Sequence, residues 1–332
     1  MKAVLSLLCG SLVIAASGTA HAQAPAAGPA SAGAFPNKMV RIVVPFPPGG
    51  STDVLARKLA DAMTQDFGQS VIVENRPGAG GTVGSAFVAR APADGYTLLM
   101  GVTGSHAVSY SLYAKPSYDP VKDFAPISMI VNSPLMLVKN ANVPARTVPD
   151  YVAYAKSRPA QVTYGSPGNG TSMHLTGEMF ALATGVQLLH VPYKGSAPAL
   201  NDLLGGQLDS MFGDLLVVQQ FVKSGKIQAI AVTSQQRHPM FPDVPTVAES
   251  GVPGFEALSW QGLFAPAGTP PEVVAALNAE VTKVLDRPEM KTFFSSQGFI
   301  VTPSSPDAFK TFVAAEVKKW AAIVKAAGVP VE

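Results

Sequence analysis

The chain has 332 residues, 47% of them hydrophobic and only 14% charged, and its formal net charge is +2. So small a charge excludes the broad basic footprint of a nucleic-acid or anionic-membrane binder. A single cysteine excludes a disulfide framework. In chain order, Lys2 and the apolar stretch 3–16 lead to Ala20-His21-Ala22, a small-x-small cleavage signature. Residues 1–22 are therefore expected to be an export signal cut between Ala22 and Gln23. The apolar stretch is shorter than the ~20 residues of a membrane span, and it contains the one cysteine, Cys9. Residues 23–37 are mostly Ala, Pro and Gly, a composition that cannot bury a core, and they are expected to form a flexible leader.

The body that follows alternates short β-rich runs with amphipathic helices. Residues 41–44 read as a buried strand. Residues 52–63 read as a helix, with Leu55, Leu59 and Ala62 or Met63 at helical spacing. Strands follow at 71–73 and 96–100, separated by the turn-rich segment from Pro77 to Thr82, which opens another helix. Further strands are expected at 135–138, 162–164, 188–191, 210–212, 227–232 and 263–264. Helices are expected at 148–156, through Leu175, Met179 and Leu182, and at 271–285 and 308–326. Strands alternating with helices predict an α/β architecture with mostly parallel sheets covered by helices.

Two Gly-rich strand-to-helix loops stand out. The first carries Phe46, Pro47, Pro48, Gly49 and Gly50, then Ser51, Thr52 and Asp53. The second carries Ser166, Gly168 and Gly170, then Thr171 and Ser172. Glycines let the backbone turn and approach a ligand. Ser, Thr and Asp suit the cap of the following helix. The N–H groups and positive dipole end of such a helix favour an anion. An ordinary capped turn is the competing reading of both loops. Neither loop contains Lys, so neither is a phosphate-binding Walker loop. Gly78, Gly80 and Gly84 miss the dinucleotide spacing by one, and Gly165-Ser166-Pro167-Gly168 misses the Gly-x-Ser-x-Gly elbow by one. His106, His174, His190 and His238 show no metal-ligand spacing; His106 and His174 follow cleft-side loops and are open to either a ligand or a structural role. Asp214, at a strand end, is open to accepting from a ligand amine or hydroxyl, or to capping a helix. Ligands of doubly wound sheets bind beyond the carboxyl ends of the strands, where all these loops fall.

Six short motifs, in order, carry a resemblance. They are Pro45-Phe46-Pro47-Pro48-Gly49-Gly50 with Asp53, Glu74-Asn75-Arg76-Pro77-Gly78-Ala79-Gly80-Gly81, Asp94-Gly95-Tyr96-Thr97-Leu98, Tyr164-Gly165-Ser166-Pro167-Gly168-Asn169-Gly170, Val191-Pro192-Tyr193-Lys194-Gly195 and Asp243-Val244-Pro245-Thr246. Together they resemble the tripartite tricarboxylate transporter substrate-binding proteins, the Bug family. The resemblance implies a periplasmic two-lobed Venus flytrap of the type II binding-protein class. Lobe 1 would comprise 38–134 and 257–332 and lobe 2 would comprise 135–256, with crossings near 133–137 and 254–260. It also implies a monomer, with no metal and no cofactor, that holds a small carboxylate (a di- or tricarboxylate, an amino acid or an aromatic acid) for a two-component membrane permease. Carried onto this sequence, the loops 46–53 and 166–172 grip one carboxylate. The rest of the ligand would face Thr103 and Ser105, His174, Tyr193, Gly195 and Ser196, and Asp214. The rivals are a secreted two-lobed hydrolase using Ser166 or Ser105, and a receptor serving a signalling partner.

Overall fold

The structure, a computed structural model, describes residues 35–329 and residue 331. The expected export signal and residues 23–34 of the leader lie outside the described residues. Residues 35–37 correct the leader assignment: Phe35 packs on the rings of Phe67 and Tyr96, and the Tyr96 hydroxyl donates to Asn37 Oδ1 at 2.9 Å. These contacts bury an aromatic ring that a flexible leader would leave in water.

The first half runs β1 (Val40–Val44), α1 (Ser51–Phe67), β2 (Val71–Asn75), α2 (Thr82–Ala89), β3 (Thr97–Val102) and α3 (Ser109–Leu112). β4 (Phe124–Asn140) then carries the chain into the second half. There α4 (Val148–Lys156), β5 (Val162–Ser166), α5 (Ser172–Thr184) and β6 (Leu188–Pro192) follow in turn. After them come α6 (Ser196–Leu204), β7 (Ser210–Asp214), α7 (Leu215–Lys223) and β8 (Ile227–Val232). β9 (Leu258–Pro266) returns to the first half, which closes with α8 (Pro271–Asp286), α9 (Pro288–Ser296), β10 (Ile300–Val301) and α10 (Pro306–Ala327).

The strands form one continuous order, β2-β1-β3-β9-β4-β7-β5-β6, with β8 and β10 both on β4. Parallel pairing is confined to β2-β1-β3 and β7-β5-β6. β9 and β4 pair antiparallel with each other and with β3 and β7, because they carry the chain across and back. Each half is therefore a mixed sheet under helices, and the two-lobed α/β expectation holds. β4 is the shared spine. Its residues 124–134 pair with β9, and 135–140 pair with β7 and β8. Thr233 ties the two crossings: its Oγ1 accepts the Leu135 N–H at 2.8 Å and donates to Ala257 O at 2.6 Å.

Each half has its own core. Val40, Ile42, Leu55, Leu59 and Leu263 pack in the first, and Trp260, Phe264, Phe309 and Trp320 form its aromatic side. Leu135, Leu137, Tyr151, Tyr164, Phe180 and Phe212 pack in the second. The carboxyl ends of β1, β2 and β3 and of β5, β6 and β7 carry the Gly-rich loops toward a common cleft, where the strand order reverses. No helix among the described residues is long and apolar enough to cross a membrane.

Candidate functional site

A cavity of about 70 Å³ lies between the two halves, lined by residues of both. At roughly 10–15 Å³ per water-sized group, it matches a small acid rather than a nucleotide. Four helices begin on its wall. Gly50 caps α1, Thr171 caps α5, Gly195 caps α6 and Asp214 caps α7, and all four line the cavity. Gly50 and Gly195 have no side-chain acceptor to turn onto the first-turn N–H groups, which leaves those groups and the dipole ends for a bound anion or water. Of the lining residues only Lys194 and Asp214 carry charge, and Lys194 is exposed at the rim.

The first loop presents Phe46, Pro48, Gly50, Ser51 and Thr52 to the cavity, with Pro47 between them. Gly49 and Asp53 shape the loop instead of lining it. Gly49 turns with φ +84° and donates its N–H to Asp53 Oδ2 at 2.9 Å. Burial pushes the Asp53 carboxyl up, but the Arg57 guanidinium, the Gly49 N–H and the Asn75 amide outweigh it and hold it below its ordinary value. The second loop presents Pro167, Thr171 and Ser172. Ser166 lies behind it, fully buried, its Oγ accepting the Gly168 N–H at 3.2 Å and 2.6 Å from His190 Nε2. Gly168 and Tyr193 line an adjoining outer recess that shares Phe46, Pro47, Pro167, Lys194 and Gly195 with the cavity. The Tyr193 hydroxyl donates to Asp202 at 2.6 Å. Ser196, at the start of α6, lines the cavity itself.

Four expected ligand residues are held elsewhere. Thr103 is buried, its Oγ1 accepting the Trp260 N–H at 2.9 Å. Ser105 is buried against Val102 and the His106 ring, at 3.0 Å from Nδ1. Gly170 makes a left-handed turn with φ +72° and donates its N–H to His174 Nδ1 at 3.1 Å. His174 thus faces away from the cavity: it stacks on His190 with ring centroids 3.9 Å apart and lines a separate recess with Glu178. Burial pushes His174 down to about 4, so at neutral pH it is an uncharged brace for the loop. His106 is likewise structural, stacked on Phe264 at 4.2 Å inside the aromatic core.

Asp214 is the one buried charge on the cavity wall, at 2% exposure. Its Oδ2 accepts from Ser51 Oγ at 2.5 Å, which joins the two halves, and its Oδ1 has no hydrogen-bond partner. Burial pushes its carboxyl up to about 6, against the lowering effect of Ser51. Ser259 and Gln261, on β9, also line the cavity, and sequence reasoning missed both. Their signal was an alternation: two polar residues on one face of an otherwise apolar strand. Ser259 Oγ accepts from Ser172 Oγ at 3.1 Å, a second bridge between halves, while Gln261 Oε1 is buried without a partner.

The model of the tripartite tricarboxylate transporter family receptor matches residues 55–329 of this chain. Among solved structures, the chain is 40% identical to the periplasmic binding protein BugD; 89% of this chain and 99% of that one are covered, with a TM-score of 0.85. It is 38% identical to R. palustris Rpa4515, determined with adipate, over 89% of this chain and 98% of that one, with a TM-score of 0.86. It is 34% identical to MatC (Rpa3494) from Rhodopseudomonas palustris, with bound malate, over 87% and 100% of the two chains, with a TM-score of 0.83.

Proposed function

The chain belongs to the tripartite tricarboxylate transporter receptor family and is a solute-binding protein, and we propose on that premise that it captures a small carboxylate between its halves and delivers it to a two-component membrane permease. The observation that carries the carboxylate is the meeting of four helix N-termini on one cavity wall with little countercharge. The acids named with its relatives, adipate and malate, support the same class. A transport receptor must release its cargo, and neutral donors suit that better than a buried ion pair. Each helix terminus favours an anion by about 0.3–2 kcal/mol, and hydrogen bonds to a charged group add ~1.5–3 kcal/mol each. After the opposing association terms, this is compatible with micromolar binding, about −8 kcal/mol.

In this reading the molecule is a periplasmic monomer. Its lobes, 38–134 with 257–332 and 135–256, close about the crossings at 133–137 and 254–260. The sequence of residues 1–22 and the periplasmic name of BugD support the location. The chain acts as a receptor and performs no catalysis. Ser166 and His190 are near enough to resemble a nucleophile and base, but Ser166 is fully buried, and burial, with His174 beside it, pushes His190 down to about 3. A base that weak is mismatched to neutral pH. Calorimetry with mono-, di- and tricarboxylates tests the reading: one or more is expected to bind at micromolar Kd, and Thr171→Ala is expected to weaken it. No binding by any of them overturns it, and steady turnover of an ester or amide by pure protein would favour the hydrolase instead.

A further inference from the structure

Two residues of the cavity lining each hold a buried acceptor oxygen that has no donor. Asp214 Oδ1 and Gln261 Oε1 come from opposite halves of the sheet, both residues line the cavity, and both oxygens are buried without a hydrogen-bond partner. A buried acceptor left unmatched costs about 1–3 kcal/mol, and more if charged, so native structures leave few of them. The rest of the wall is arranged the other way, with helix N-termini offering N–H donors, while the hydroxyl protons of Ser51, Thr171 and Ser172 are already given to Asp214, Gly168 O and Ser259. The cavity is thus lined by helix N-termini suited to a carboxylate and by two residues, Asp214 and Gln261, that each hold an unmatched buried acceptor.

We propose that this receptor selects carboxylates that also carry a hydrogen-bond donor, a hydroxyl or ammonium group, which Asp214 Oδ1 and Gln261 Oε1 receive as the halves close. This rests on the carboxylate reading above and narrows it to a ligand class. Ser51 already occupies Asp214 Oδ2, so Oδ1 is the oxygen left for a ligand. The Asp214 carboxyl, raised to about 6, is mostly ionised at pH 7 and acts there as an acceptor. An acid without a donor would close the cleft over an unsatisfied anion. An acid with one removes that penalty at the moment of closure, so recognition and closure are the same event.

The test is calorimetry at pH 7.5 with two matched series on the native protein: succinate, malate and aspartate, and propionate, lactate and alanine. Within each series only the second carbon changes, from hydrogen to hydroxyl to ammonium. In at least one series the hydroxyl or ammonium member is expected to bind about 10- to 100-fold tighter than the unsubstituted acid, the range for hydrogen bonds to a charged group. Asp214→Asn is expected to erase that preference. Its Oδ1 keeps the Ser51 bond and its amide puts a donor where the acceptor stood, so the unsubstituted acids should gain while the others lose. Gln261→Leu should reduce the preference without inverting it. If the unsubstituted acids bind as tightly as their partners, the donor inference is overturned and the carboxylate reading stands. If none of the six binds and the carboxylates that do bind carry no hydroxyl or ammonium group, the donor inference again fails alone. If no carboxylate binds at all, both fail. Should Asp214→Asn not fold, the native series decides.

Discussion

Ser51 and Asp214 are 163 positions apart, yet their side chains form a 2.5 Å hydrogen bond across the cleft. Ser51→Ala removes the donor and leaves both carboxylate oxygens of a buried Asp214 without that partner. The expected result is a ligand affinity lower by about 10- to 100-fold, equivalent to ~1.5–3 kcal/mol for a bond to a charged group, read by calorimetry. An unchanged Kd would mean that the bond does not support the closed arrangement. Glu316 provides a contrast, since it acts on the fold alone. Its Oε2 accepts from the indole N–H groups of both Trp260 and Trp320, at 3.0 and 2.9 Å, inside the aromatic core. Glu316→Leu strands two buried donors at about 1–3 kcal/mol each. Denaturant melts should show roughly 2–6 kcal/mol lost, with no selective effect on ligand affinity in whatever remains folded. Neither pairing was legible in the sequence. Pairings between distant residues depend on which loops the topology brings together, and local pattern carries no such information.

Local pattern did reveal the elements whose ends have strong signals. The two Gly-rich loops, the helices behind them and the parallel strands before them fall where spacing and capping residues predict. Of the elements that were missed, three have a plain physical reason. The first part of β4 reads Phe124-Ala125-Pro126-Ile127-Ser128, where a proline argues against a strand; the register of β4 on β9 shifts between Pro126 and Ser128 to accommodate it. α9 is short and begins only one residue after α8 ends, so its periodicity merges with its neighbour's. β10 is two residues long and exists only through its pairing with β4. Of the candidate site, the loops were legible and the β9 face was not, because the apolar run that reads as strand, 263–264, lies beyond Ser259 and Gln261. The same elements explain two glycines at the closure contact. A Cβ on Gly104 would meet Gly170 O at 2.7 Å and Thr171 Cα at 3.0 Å, and one on Gly80 would meet Asn169 O at 2.2 Å. Backbone stands against backbone here, so neither side can yield cheaply. Gly104→Ala suits its own turn and should leave each half folded while holding the halves apart. Small-angle scattering should show a ligand-treated variant with the dimensions of the open form, and affinity should fall at least about tenfold, ~1.4 kcal/mol. A variant that compacts like the native protein would show that this contact does not limit closure.

At the scale of the whole molecule, His106, His174 and His190 weigh against stability in acid. His106 is pushed down to about 3 by burial, His174 to about 4 by burial, and His190 to about 3 by burial and its stacked partner. Unfolded, each titrates near 6.5, so the unfolded chain binds more protons than the folded one between pH 6.5 and about 4. Stability is therefore complete above pH 6.5 and lost as pH falls through that window. At ~1.4 kcal/mol for each tenfold difference in proton affinity, each histidine removes about 2–3 kcal/mol between pH 7.5 and 4.5. Asp214 has the opposite sign. Its raised carboxyl takes up a proton in the folded state first, and it returns about 2 kcal/mol over the same interval. Glu280, pushed up to about 7 by burial and by the neighbouring Asp66, has the same sign as Asp214 and returns about 3 kcal/mol, so the histidines leave a net loss of roughly 1–4 kcal/mol. Denaturant melts at pH 7.5 and 4.5 should show that loss. His106→Phe should reduce it by about one histidine's share, 2–3 kcal/mol, because the ring keeps its place against Phe264 and no longer titrates. The variant lies in the aromatic core and leaves the cavity wall untouched, so its ligand affinity at pH 7.5 should match the native value. An unchanged acid loss in His106→Phe would place the proton uptake on other groups.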